Sequence, residues 1–252
     1  MLNIEHQTVV NLGRRVISHP LLYPLRQFNV SVKTVVRTEP SLWLLYQPYI
    51  WWTMLDRLAA GGSAKEALID SKTELLIDGY EGSANSFAAY FFKLNQSKPI
   101  RLVHHTHAPV QIIKAVQLNI PVLLTIREPR NATLSLTSRW PFISVTQALH
   151  RYIKFYTKIE PYVSYCVLSP FEQTTQHLDQ VVIAINQKFG THFDPIDMNK
   201  SNAIYNQMGR SALKETEYQS AKQLKIEALD NPENQALLAK AESLYTRIEA
   251  AA

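Results

Sequence analysis

Between residues 73 and 190 short apolar runs alternate with segments of helical period, and this alternation constrains the fold more than any other feature. Glu74–Asp78 (E-L-L-I-D) reads as a buried strand, and Ala84–Asn95 sets Phe87, Phe91 and Leu94 on one helical face. Ile100–His104 is a second strand. Pro109–Leu118 is a helix with Val110, Ile113 and Val116 inward, and Pro121–Ile126 is a third strand. Ser144-Val-Thr-Gln147 forms a capping box for a helix through Tyr156, with Leu149, Tyr152, Ile153 and Tyr156 on one stripe. Val163–Leu168 reads as a fourth strand. Ser169-Pro-Phe-Glu172 starts another helix with proline at its first position, and Leu178, Val181, Val182, Ile185 and Phe189 carry a helix to a stop at Gly190. Strands apolar on both faces and joined by helices build a parallel sheet covered on both sides. The expected fold is an α/β three-layer sandwich with a P-loop-like strand-loop-helix.

A chain of 252 residues, 46% of them hydrophobic, can bury a sizeable core, and one domain is expected: an N-terminal segment 1–72, an α/β core 73–200 and C-terminal helices 201–252. The tail from about Ser211 is helical, and Asn231-Pro232 divides it into two helices with Asp230 or Asn231 as the second cap. The stretch Ser41–Leu55 is the most aromatic, and Pro48 interrupts it. Packing against the core is its ordinary reading; a lip over a site or an interfacial patch is the alternative. Gly61-Gly62-Ser63 marks a turn before a helix at Ala64–Leu68.

The net charge of +5 is not gathered into a run, so it suits an anionic ligand without implying nucleic acid. The single cysteine, Cys166, cannot form an internal disulfide and reads as a small buried hydrophobe. The N-terminus lacks a signal-peptide pattern, and no window reaches the roughly 18 apolar residues of a membrane span. A cytoplasmic location is expected. Oligomeric state is not readable.

Three segments carry the chemistry. Gly79-Tyr-Glu-Gly-Ser-Ala-Asn-Ser86 lies between the first strand and the first helix, where helix N–H groups bind phosphate. Against G-x-x-x-x-G-K-[ST], Gly79 and Ser86 match, but Ala84 replaces the second glycine and Asn85 the lysine. Loss of that lysine argues against a magnesium-nucleotide hydrolase. A plain strand-to-helix turn also needs small residues, so this segment alone leaves both readings open. Arg127-Glu-Pro-Arg-Asn-Ala-Thr-Leu-Ser135 follows the third strand, and its Arg and Ser suit a second phosphate. His104-His-Thr-His-Ala-Pro109 ends the second strand. All three fall on one edge of the expected sheet.

Over about residues 73–190 the sequence resembles the sulfotransferases that use 3′-phosphoadenosine 5′-phosphosulfate (PAPS). Their 5′-phosphosulfate loop, roughly Y-P-K-S-G-T-T-W, is similar to Tyr80-Glu-Gly-Ser-Ala-Asn-Ser-Phe87, with Tyr80 and Ser83 identical and Ser86 and Phe87 conservative. Their 3′-phosphate motif, R-x-P-x-x-x-x-x-S, is matched at Arg127, Pro129 and Ser135. Their K-T-H-x-P segment aligns with His105-Thr-His-Ala-Pro109. The resemblance implies a P-loop-like fold and sulfuryl transfer from PAPS to a hydroxyl or amine, with His107 as general base. It implies PAPS binding by Gly82, Ser83, Ala84, Asn85, Ser86, Phe87, Arg127 and Ser135. No metal is implied. The acceptor would be a small molecule, lipid or carbohydrate.

The chain departs from the pattern at two positions. Gly82 stands where the family has a Lys or Arg beside the leaving oxygen, and Glu81 replaces a proline. Losing one preorganised group at a developing oxyanion costs about 2.7–4 kcal/mol of barrier. Arg14, Arg15, Lys114 and Arg130 are candidate replacement cations, and Met208-Gly209-Arg210 is a faint counterpart of the family's R-K-G segment. A non-catalytic nucleotide-binding protein is therefore the alternative. His105 and His107 also have the H-x-H spacing of a metal pair, without a third ligand. His104 and His150 read as structural, Tyr152, Phe155 and Tyr156 as core, and Glu172 as a helix-start carboxylate.

Overall fold

The computed structural model describes residues 23–46, 48, 68–200 and 215–251. Helix α1 (Tyr23–Thr38) leads into a short 3-10 turn at Pro40–Leu42. The core then runs β1 (Leu75–Gly79), α2 (Asn85–Asn95), β2 (Leu102–His104), α3 (Pro109–Gln117), β3 (Val122–Ile126), α4 (Pro129–Arg139) and α5 (Val145–Ile159). A 3-10 turn at Glu160–Tyr165 precedes β4 (Val167–Pro170), α6 (Phe171–Gln176) and α7 (Leu178–Phe189). Helices α8 (Glu215–Leu229) and α9 (Pro232–Ala250) follow.

The four strands form one parallel sheet in the order β2-β1-β3-β4. The β1–β2 connection runs one way along the sheet and the β2–β3 connection runs the other, past β1, so right-handed crossovers send α2 and α3 to opposite faces. On one face Leu75, Ile77 and Leu123 pack with Phe87, Phe91 and Phe92 of α2 and with Val181, Val182 and Ile185 of α7. On the other, Leu76, Leu124 and Ile126 pack with Ile112 of α3 and with Tyr152 and Tyr156 of α5. Every residue of β1 and β3 is buried, as expected for strands covered on both faces.

Boundaries differ from the expected ones where local chemistry intervenes. The fourth strand begins at Val167, because Pro161 in the first turn of the 3-10 segment draws Val163 into it. Pro170 closes β4 and caps α6, so α6 opens at Phe171. The expected single helix to Gly190 is two, α6 and α7, with Gly190 in the left-handed conformation at φ 65°. Leu94 is exposed, outside the face set by Phe87 and Phe91. Ser144 caps α5, its Oγ accepting from Gln147 N at 3.0 Å, but the Gln147 side chain turns to α1 and does not complete the box. Asn231 caps α9. Cys166 is buried, and burial pushes its thiol up to about 12.

Tyr46 is fully buried and stacks on Trp43 at 5.6 Å, so these two rings pack inward while Leu44 and Leu45 between them are exposed. The remainder of that stretch, the Gly61–Ser63 turn, most of the helix after it, Arg14, Arg15 and Met208–Arg210 lie outside the described residues. Among the described residues no helix is long and apolar enough to cross a membrane.

The carboxyl end of β1 is the tightest point of the sheet. A Cβ on Gly79 would lie 2.1 Å from the Thr125 carbonyl oxygen of β3, so only glycine fits. At Gly190 a Cβ would meet nothing within 4 Å. Gly79→Ala is expected to destabilise by about 3 kcal/mol or more. Gly190→Ala should lose only the left-handed penalty of about 1–2 kcal/mol. Denaturant midpoints of the two variants check this, and equal losses would refute the close approach.

Candidate active site at the carboxyl edge of the sheet

Asp78, fully buried at the end of β1, organises the β2–α3 turn. Its carboxylate accepts from Thr106 Oγ1, from His107 N at 3.0 Å and from Ala108 N at 3.2 Å. These bonds hold His105 and His107 at φ 61° and 47°, left-handed conformations that non-glycine residues adopt only under constraint. An acid closing an otherwise apolar strand was the available signal for Asp78, which the sequence reading passed over.

The His107 side chain is 10% exposed. Its Nδ1 lies 2.8 Å from the Gly79 carbonyl oxygen, which can only accept, so Nδ1 carries the proton. The lone pair of the neutral ring is then on Nε2. Asn85 Nδ2, 3.4 Å from the same nitrogen, gives its two N–H groups to Gly79 O and Tyr80 O and so does not compete for this tautomer. His105 Nδ1 meets Ser86 Oγ at 3.0 Å, and the two histidine rings lie edge to face at 4.5 Å. Among the described residues no group of three or more His, Cys, Asp or Glu side chains is placed to hold a metal ion.

The loop Tyr80–Ala84 bends through Gly82 at φ 90° and Ala84 at φ 68°. Asn85 stands at the Walker lysine position, but its side chain braces the fold. Its Nδ2 donates to Gly79 O at 3.2 Å and Tyr80 O at 3.0 Å, and its Oδ1 accepts from Thr125 Oγ1. Phe87 is likewise turned into the core, 5.3 Å from Phe91. The first α2 ladder bond runs from Ala88 N to Ala84 O, and Ala84 has no side-chain cap, so the Asn85 and Ser86 amides lie outside that ladder. Ser83 is fully buried beside the Tyr156 hydroxyl, and its Oγ makes no well-formed hydrogen bond.

Helix α5 supports the edge with hydroxyls. Tyr156 Oη accepts from Tyr80 N and donates to Thr125 O at 3.0 Å. Tyr152 Oη donates to Arg127 O and Tyr80 Oη to Ala148 O, each at 2.8 Å. Burial raises all three phenols above their ordinary range, so they remain donors. Arg127 donates to Gly82 O at 3.1 Å and lies 3.8 Å above the Phe171 ring. Ser135 of α4 accepts from Arg139 at 3.1 Å, and its Oγ is 3.4 Å from where a Gly82 Cβ would sit. The loops after β1, β2 and β3 thus converge, and the sheet changes direction between β1 and β3. Ligands of open α/β sheets bind at such a crevice.

Among the described residues, the cations that pair with the loop acid Glu81 are neither Arg130 nor Lys114. Arg151 of α5 pairs with Glu81, and Arg37 of α1 lies 3.9 Å from it. Arg130 instead faces Asp230 at 3.7 Å, and Lys114 lies on α3. Burial opposes ionisation of Glu81, but Arg151, His107 and Arg37 outweigh it and hold its carboxyl down at about 2.

No protein-family model matches the chain, nor does any curated protein or solved structure.

Because the folded carboxyl of Glu81 titrates below its ordinary 4.5, it contributes stability above pH 4.5 and loses it as pH falls toward 2. At neutral pH that contribution is about 3 kcal/mol. Glu81→Gln should therefore flatten the stability profile between pH 5 and 2, as followed by urea midpoints. A profile unchanged from wild type would show that Glu81 carries no such linkage.

Proposed function

We propose that the chain transfers a sulfuryl group from PAPS to a hydroxyl or amine of a small-molecule, lipid or carbohydrate acceptor, with His107 as general base. The observation that carries this reading is the meeting of the three loops: Arg127 and Ser135 lie against Gly82, while His107 bonds to Gly79. The loops that carry the sequence resemblance meet at one edge of the sheet, at the switch of strand order, which supports this reading.

The residues fit the nucleotide at several points. Ser83 Oγ lacks a good partner, and the α2 start is uncapped, which suits a 5′-phosphate. Arg127, steadied on Phe171, and Ser135 suit the 3′-phosphate. Bound there, the donor supplies a sulfuryl group whose leaving oxygen belongs to the 5′-phosphate. The acceptor oxygen forms the new S–O bond as the phosphate S–O bond breaks, and Nε2 of His107 takes the acceptor proton. The Nδ1 bond to Gly79 fixes the tautomer this role needs.

A second reading, a non-catalytic nucleotide-binding protein, is favoured by one observation: the anion of Glu81 already engages the two guanidiniums beside the loop. Incubation with PAPS carrying labelled sulfur and a panel of alcohols and amines separates the two. The transferase reading predicts labelled product, and a loss of about 100-fold or more in His107→Ala. Binding of 3′-phosphoadenosine 5′-phosphate should stay within about threefold of wild type. Full turnover in His107→Ala would end the base assignment. Product binding without transfer to any acceptor would establish the second reading.

A further inference from the structure

A separate groove of about 590 Å³ opens between α1 and α5, within the range of about 300–1,000 Å³ typical of small-molecule sites. The α1 wall carries Gln27, Phe28, Ser31, Thr34 and Val35, whose spacing places them on one stripe of the helix. Phe28 is 69% exposed and Val35 is also exposed, which leaves apolar surface facing solvent. The α5 wall carries His150 and Arg151 and, one turn further on, Lys154. His150, read from sequence as structural, is exposed here.

The two walls are joined by Gln147, whose Nε2 donates to Gln27 O at 2.9 Å and to Ser31 Oγ at 3.0 Å. Its Oε1 is buried with no hydrogen-bond partner. Around the groove two carboxylates are each shared by two cations. Glu81 faces Arg37 and Arg151, and Glu39 faces Lys154 at 3.4 Å and Lys158 at 2.9 Å. Among the described residues the α1–α5 seam thus sets four cations against two carboxylates, a positive balance.

We infer that this groove binds an amphipathic anion: an apolar chain along Phe28 and Val35, an anionic head toward Arg151 and Lys154, and a hydroxyl near the head answering Gln147 Oε1. The positive excess selects the head, and the exposed apolar stripe selects the chain. A medium-chain hydroxy acid is the simplest molecule with all three features. The inference does not depend on the nucleotide reading, although Arg151 links the groove to the β1 loop through Glu81.

Calorimetric titration of the full chain with 3-hydroxydecanoate tests it, with 1-decanol and 3-hydroxybutyrate as controls lacking charge and chain. One molecule should bind, about tenfold or more tightly than either control. Phe28→Ser and Lys154→Gln, both at solvent-facing positions, should each weaken binding by about 3- to 10-fold. No binding, affinity equal to that of 1-decanol, or binding indifferent to both substitutions would overturn the inference.

Discussion

The carboxylate of Asp78 is the constraint on which the site depends. A carboxyl group withdrawn from water must be met by hydrogen bonds, and those available come from the β2–α3 turn: the Thr106 hydroxyl and the amides of His107 and Ala108. Meeting them folds the turn onto the end of β1 and holds His105 and His107 in left-handed conformations. The His107 ring is thereby brought to the Gly79 carbonyl, which sets its tautomer. Gly79 occupies the one place where β1 approaches β3 too closely for a side chain. A strand end, a turn and a histidine are thus one mechanical unit.

Charge is supplied to this unit from outside the sheet. The loop Tyr80–Ala84 carries one acid, Glu81, and no lysine or arginine of its own, and the cations paired with that acid come from α1 and α5. Arg151 serves two surfaces, since it pairs with the loop acid and lines the groove between these helices. Among the described residues, four cations and two carboxylates lie along the α1–α5 seam.

Much of the sheet was legible because β1 and β3 are short, mainly apolar runs, as strands buried on both faces are. The convergence of His107, Arg127 and Ser135 was legible for a topological reason, since parallel strands deliver all their following loops to one edge. The fourth strand was misplaced because apolar content does not distinguish a strand from the 3-10 turn that Pro161 starts. The roles of Asn85 and Phe87 were out of reach for another reason: alignment to a motif shows which residue stands at a position, not whether its side chain faces a ligand or the core. The partners of Glu81 were hidden by distance along the chain, with Arg151 70 positions away. The partners of Asp78, 28 to 30 positions away, were hidden in the same way.

The central claim is that the crevice formed by the loops after β1 and β3 recognises a nucleotide carrying both a 3′- and a 5′-phosphate. Calorimetric binding of 3′-phosphoadenosine 5′-phosphate, with ADP as control, to wild type and to Arg127→Ala tests it most directly. The account predicts selective binding of the bisphosphate by wild type, weakened by about tenfold or more in Arg127→Ala while ADP changes little. Equal binding of the two nucleotides, or bisphosphate affinity unaffected by loss of Arg127, would contradict it.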